Sequence, residues 1–266
     1  MKILCHLVLF NLGVLIYSCS ETQVKDKSFV LSANANYENN FIPPNIYDIP
    51  SIKIEPGEYL NQIIGNYSVD AIIDSLNPVK VYLKIKDSLE GRVYQGYTLD
   101  GKKNGWWEVL NNKTILCCGN YDLDKKCGYW RYYQLTGESQ KFVNFKNDTL
   151  EGLAQEFSAD IILLTEGNYV GGLKSDYWKF FYNNGKIKEQ GYFHDGYKSG
   201  WWQSFERNGK LIEEASYSKN EISGYMKKYF QGIISEEGKK DNGIRKGTWK
   251  FYDEAGKLKR VEEYEE

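Results

Sequence analysis

His194 and Asp195 form the one histidine–carboxylate neighbour pair of the chain, and a catalytic triad would need a nucleophile to complete it. No Gly-x-Ser-x-Gly motif accompanies them, so the pair reads as solvated loop residues. Metal chemistry fares no better, because His194 and the adjacent Cys117-Cys118 lack zinc spacing. A Gly-x-x-x-x-Gly-Lys-Ser/Thr phosphate loop is missing as well. No enzyme, cofactor or metal site is expected. Cys117, Cys118 and Cys127 read as strand-filling thiols; adjacent Cys117 and Cys118 point to opposite sheet faces, so at most one of them could meet Cys127.

Residues that recur at a fixed spacing carry more. Lys103, Lys126, Lys174, Lys198 and Arg245 stand at equivalent places, with Leu150 and Ile222 interrupting the row. On loops along one long edge, such a row could meet anionic headgroups, lipopolysaccharide or an acidic protein, or simply protect a sheet margin. Trp106, Tyr177 and Trp201 each precede a second, recurring aromatic position and are the rings best placed to stack on sugars or anchor a partner.

What must position these residues is a repeat. Counting from the residue two places before a recurring tryptophan, copies begin at Gly105, Gly128, Gly152, Asp176, Gly200, Gly224 and Gly247, 23 or 24 residues apart. The tryptophan place holds Trp107, Trp130, Ala154, Trp178, Trp202, Met226 and Trp249. Three places on stand Leu110, Tyr133, Phe157, Phe181, Phe205, Tyr229 and Tyr252, and each copy closes on Tyr121, Phe145, Tyr169, Phe193, Tyr217, Lys240 or Tyr264. Such a period signals an array of similar supersecondary units that bury their faces against neighbours. Asn183-Asn184-Gly185 between two aromatic or β-branched runs is a hairpin turn, repeated at Leu135-Thr136-Gly137, Arg207-Asn208-Gly209 and Glu254-Ala255-Gly256. Residues 194–200 then connect one hairpin to the next. Tyr177, Trp178 and Phe181 cannot share one face of a regular strand, which calls for a bulge near the tryptophan or aromatics on both faces. At two strands per repeat, seven repeats would extend roughly 65–70 Å.

Upstream, residues 51–96 read as a small α/β cap holding a degenerate repeat. Ser68 would cap a helix over Val69–Leu76, stopped by Asn77-Pro78, with an earlier helical turn ending at Gly65. Val79, Val81, Leu83 and Ile85 alternate with Lys80, Tyr82, Lys84 and Lys86 as a half-buried strand. Residues 84–91 echo 145–152, which places the degenerate repeat ahead of the first full one.

Residues 1–18 form an export signal: Lys2, then a mostly apolar run too short to span a bilayer. Ile16-Tyr17-Ser18-Cys19 resembles a bacterial lipobox, which implies lipidation of Cys19, and Ser20 after it is compatible with an outer-membrane destination. Residues 19–50, with Pro43, Pro44 and Pro50 among scattered apolar residues, read as a flexible tether. The formal charge of −2 gives no pointer to nucleic acid.

The pattern Gly-x-Trp-x-x-Tyr/Phe, then x-Gly-Lys and a closing Tyr-x-x-Gly, resembles the MORN repeat in its bacterial variant form over residues 97–264. Residues 200–205 (Gly-Trp-Trp-Gln-Ser-Phe) and 247–252 (Gly-Thr-Trp-Lys-Phe-Tyr) match best; Ala154, Met226 and Asp176 depart from it. The resemblance implies a mainly β fold, a single-layer antiparallel meander of about seven hairpin repeats over residues 97–266. For function it implies binding, in protein assembly or membrane contact, and several such bacterial proteins carry an antitoxin label. The expectation is a non-enzymatic, lipid-anchored scaffold that holds a protein partner at the bacterial envelope, in one version as an immunity protein. The alternative is a glycan, cell-wall or membrane-surface module using the exposed rings or the basic edge.

Overall fold

The computed structural model describes residues 60–76, 79–133 and 139–265. The signal, Cys19, the tether, Asn77-Pro78 and the turn at Leu135–Gly137 lie outside the described residues. The chain forms β1 (Leu60–Ile64), β2 (Tyr67–Leu76), β3 (Val79–Asp87), β4 (Arg92–Leu99), β5 (Lys102–Asn111) and β6 (Thr114–Asp122). It continues through β7 (Lys125–Tyr133), β8 (Ser139–Lys146), β9 (Thr149–Ser158), β10 (Leu163–Val170), β11 (Leu173–Phe181) and β12 (Ile187–His194). The last strands are β13 (Tyr197–Phe205), β14 (Leu211–Ser218), β15 (Glu221–Phe230), β16 (Ile233–Asp241), β17 (Ile244–Tyr252) and β18 (Leu258–Tyr264). Each strand pairs antiparallel with the next in sequence, giving one meandering ribbon of hairpins.

The expected helix over Val69–Leu76 is a strand, and the expected turn of helix before it is β1. Gly65-Asn66 makes a two-residue turn between β1 and β2, with Gly65 at φ +58°. Val69 and Ala71 are buried opposite Ile85 and Leu83, while Ile72, the residue after Ala71, is exposed. Burying one side of β3 requires a partner strand of period two, and that demand overrides the modest helical signal of Ser68 and the stop at Pro78. β3 alternates as its sequence implies, with Val81, Leu83 and Ile85 buried.

The connection between hairpins is shorter than residues 194–200. It is a two-residue turn, Asp195-Gly196, with both φ positive (51° and 82°), and β13 begins at Tyr197. Lys219-Asn220, Asn147-Asp148 and Asn242-Gly243 repeat this pattern, the conformation that fits the twist of two flanking strands. Successive turns are stitched together across a repeat. Asp148 N–H donates to Lys126 O (3.0 Å) and Asp148 Oδ1 accepts Lys126 N–H (2.7 Å); Asp124 with Lys103 and Asn220 with Lys198 do the same.

A bulge recurs before every recurring tryptophan or its substitute. Gly191 pairs with Trp202 and the next residue, Tyr192, with Ser199, so β13 carries two more residues than β12 at that point. Gly200 supplies the left-handed φ of +67° that this detour needs, and Asp176 takes its place at φ +61°. As neighbours on β13, Trp202 and Trp201 point to opposite faces, and the two-residue bulge preserves that alternation. Both expectations for the crowded aromatics therefore hold: there is a bulge, and the two faces each carry rings.

Candidate interaction faces of the ribbon

One face is sealed. Each recurring indole lies flat over a glycine of the preceding strand: Trp107 over Gly96, Trp130 over Gly119, Trp178 over Gly167, Trp202 over Gly191, Trp249 over Gly238. A Cβ at Gly167 would come within 2.1 Å of the Trp178 ring, so any side chain there would collide with it. The indole N–H donates to the carbonyl of the residue after that glycine, at 2.7 Å for Trp107 to Tyr97 and 3.0 Å for Trp202 to Tyr192. That carbonyl sits at the bulge, where the ladder is interrupted, so the ring both covers the glycine and satisfies the backbone it disturbs. The closing aromatics pack edge-on against the next indole, with centroids 5.0 Å apart for Tyr121–Trp130 and 5.1 Å for Phe193–Trp202.

Where the tryptophan is lost, its seat partner is larger. Val143 stands opposite Ala154, Ala215 opposite Met226, and in the degenerate repeat Ala71 opposite Leu83. All six are buried, so the pair volume is shared rather than lost.

The basic row belongs to this sealed face. Lys103, Lys126, Lys174, Lys198 and Arg245 are the second residues of β5, β7, β11, β13 and β17 apart from the connecting turns, and each is half-buried. Placement on loops is therefore corrected: the short turns draw these residues into the strands. Lys198 Nζ lies 4.1 Å from the Trp202 ring centroid and 2.6 Å from Glu189 Oε2. Arg245 lies 4.4 Å from the Trp249 centroid with Glu236 at 2.5 Å, Lys174 4.8 Å from that of Trp178, Lys126 5.2 Å from that of Trp130, and Lys103 5.0 Å from the Tyr121 ring. Burial among these rings lowers the Lys174 ammonium below its usual range, against the pull of Glu189. A cation occurs in each repeat that has the tryptophan. Leu150 and Ile222 replace it in the two repeats where Ala154 and Met226 stand in the tryptophan seat. The row thus serves as a set of cation–π lids, four of them over indoles and that of Lys103 over the closing Tyr121.

The opposite face is open. Trp106, Tyr177 and Trp201 project there with 43%, 37% and 42% of their surface exposed. They belong to a longer file: Trp106, Tyr129, Leu153, Tyr177, Trp201, Tyr225 and Thr248, one per repeat, each beside its bulge and facing away from the buried seat that follows it. The signal was in the sequence, as the residue directly before every recurring tryptophan seat. On the intervening strands Asn120 pairs with Trp106, Asn144 with Tyr129 and Asn168 with Leu153. Beside the file runs a polar ladder, with Gln95 donating to Glu108 (3.0 Å), Lys179 to Glu166 (3.3 Å) and Gln203 to Glu214 (2.8 Å). At its far end Tyr225 and Tyr252 both donate to Glu237 at 2.6 Å.

His194 Nδ1 and Asp195 Oδ2 are 3.3 Å apart on the surface, each more than 70% exposed. Cys117 and Cys118 are buried on opposite faces and Cys127 is half-buried, and the three are not joined in a disulfide. Burial pushes the Cys118 and Cys127 thiols above their usual range, which suits packing and not nucleophilic attack. Among the described residues no group of three or more His, Cys, Asp or Glu is placed to hold a metal ion.

Comparison with curated proteins finds no match to the chain. Three stretches of the ribbon, residues 177–195, 199–219 and 245–266, match the family model of the MORN repeat variant, which places the hairpins β11–β12, β13–β14 and β17–β18 among repeats of that kind.

Proposed function

We propose that this chain is a non-enzymatic repeat scaffold whose open face holds a protein partner at the bacterial cell envelope. The observation that carries the reading is the exposed file. Thr248 fills the same place in the last full repeat, so folding does not require a large apolar side chain there, yet five repeats expose Trp, Tyr or Leu and a sixth keeps Tyr129 half-buried. Aromatic side chains kept at the surface without a packing need are the usual anchors of protein interfaces. MORN-type repeats are in keeping with a scaffold. Lipidation of Cys19, with residues 19–50 as tether, would fix the ribbon to the membrane, and one tight partner would fit an immunity protein that neutralises an arriving toxin. The test is affinity capture: full-length protein extracted from envelopes should retain one stoichiometric protein through a high-salt wash. Recovery of polysaccharide or vesicles alone would overturn the reading.

A further inference from the structure

Resting on that scaffold reading, we infer that the open face between β5 and β11 is a groove for a proline-rich partner segment in the polyproline II conformation. Four ridges, Trp106, Tyr129, Leu153 and Tyr177, stand on alternate strands, and three asparagines, Asn120, Asn144 and Asn168, stand on the strands between them. The fold does not demand asparagine at those places. The equivalent strands carry Tyr192 opposite Tyr177, Ser216 opposite Trp201 and Lys239 opposite Tyr225.

Two strand spacings put successive ridges about 9.6 Å apart. One turn of polyproline II advances three residues, or about 9.3 Å. The mismatch per step is small enough that a segment of roughly nine residues would keep step with all four ridges across about 29 Å. Such a segment has no internal hydrogen bonds, so its carbonyls need donors from the surface. An asparagine amide between each pair of ridges offers one per turn, and its two N–H groups allow Asn144 to donate to Leu153 O (3.0 Å) and still face outward with the other. Aromatic ridges with amide or hydroxyl donors between them are how known proline-rich segments are held.

Charge argues in the same direction. Glu108 is engaged by Trp106 Nε1 (3.0 Å) and Gln95 (3.0 Å), Lys179 is paired with Glu166 (3.3 Å), and the Arg131 guanidinium lies 5.9 Å from the Tyr129 ring centroid. Charges that already have partners within the face give a polyanion or an anionic membrane little to hold, whereas an uncharged, rigid peptide needs none. In the repeats beyond, Tyr192 fills the gap between Tyr177 and Trp201, its ring 4.9 Å from that of Tyr177, and closes the groove.

The experiment titrates the full-length protein with a decaproline peptide, followed by tryptophan fluorescence and calorimetry. Saturable one-to-one binding is expected, insensitive to added salt, and weakened about tenfold or more in Tyr129→Thr and Tyr177→Thr. Tyr129→Phe should retain it, and melting temperatures should show that the variants remain folded. Failure of decaproline to saturate, or equal affinity in the threonine variants, overturns the proposal. So does saturable binding of a neutral polysaccharide such as xylan in place of the peptide. Capture of a protein partner that decaproline cannot displace would overturn the groove assignment while leaving the scaffold reading in place.

Discussion

Val143 faces Ala154 across β8 and β9 at the seat that Gly191 and Trp202 fill four strands later. The two pairs divide a similar space in opposite ways, since a ring that lies flat needs a bare backbone beneath it, and an alanine leaves room for a valine. This relationship predicts a coupled exchange. Ala154→Trp alone should cost about 1–3 kcal/mol by collision with Val143, and Val143→Gly alone a similar amount through lost packing and added backbone freedom. The double variant should be close to the wild type, with a coupling energy of at least about 1 kcal/mol in denaturant unfolding. Simple additivity would contradict the shared-seat account.

Gly191→Ala isolates the other half of that pair. The added Cβ would stand 2.3 Å from the Trp202 ring, so the ring must move and give up its bond to the Tyr192 carbonyl. A loss of about 1–3 kcal/mol is expected from thermal unfolding. Gly200→Ala should be destabilising for a different reason, its φ of +67°, although nothing lies within 4 Å of the new Cβ.

Lys198→Met keeps most of the stem but removes the charge over Trp202 and leaves Glu189 without its partner at 2.6 Å. Both losses act on half-buried groups, so a cost of about 1–2 kcal/mol is expected. Lys198→Arg should retain most of the stability. Leu150→Lys should give no gain unless Ala154→Trp and Val143→Gly accompany it. Unfolding midpoints of these variants check the point, and a gain from Leu150→Lys alone would separate the cation from the indole.

Alkali should loosen tyrosine contacts on both faces before it affects the turns. Burial, and then the charge of Glu156, push the Tyr169 hydroxyl from 10.0 up to about 12. Tyr229 is raised to about 12 by burial and its bond to Glu214, and Tyr252 to about 12 by its bond to Glu237 and by burial. A folded pKa above the unfolded one means that the stabilisation is intact below about pH 10 and is lost as the pH rises towards 12. The melting temperature should fall across that window, and Tyr169→Phe should make the fall shallower. An unchanged slope in that variant would contradict the assignment.

Glu237 predicts the opposite limb. Burial pushes its carboxyl up, but the Tyr225 and Tyr252 hydroxyls and the charges of Lys227 and Lys250 outweigh burial and hold it below its usual 4.5. Its contribution is therefore present above that value and lost as pH falls through the folded one. Glu237→Gln should lower the melting temperature at neutral pH and flatten the acid limb. An identical pH profile in the variant would show that the two tyrosines do not act through this carboxylate.

Much of the fold was legible because the repeat marks its own turns and its own tryptophans. The hairpins at Asn183-Asn184-Gly185 and Arg207-Asn208-Gly209, the half-buried β3 and the degenerate repeat beside it all follow from spacing and alternation. The helix expected at Val69–Leu76 gives way to a strand because β3 requires a partner on that side and Gly65-Asn66 turns β1 back along it. The basic row was visible as a row, but not as a lid. That role depends on the two-residue turn at Asp195-Gly196, which moves Lys198 into a strand and over Trp202. The glycine beneath each indole was equally visible, eleven residues before its tryptophan, yet only the register shows that the two touch. The exposed file follows from alternation about each tryptophan seat, and the two extra residues of the bulge leave Trp201 and Trp202 on opposite faces.

The claim that the open face is the one that binds is tested most directly by capture with two matched variants of the full-length protein. One carries Trp106→Thr, Tyr129→Thr and Trp201→Thr on the open face; the other carries Lys174→Met and Lys198→Met on the sealed one. The account predicts that the envelope partner retained by the wild type is lost from the first and kept by the second, with both still folded by melting. Retention by the open-face variant and loss from the lysine variant would contradict it and return the binding role to the basic row.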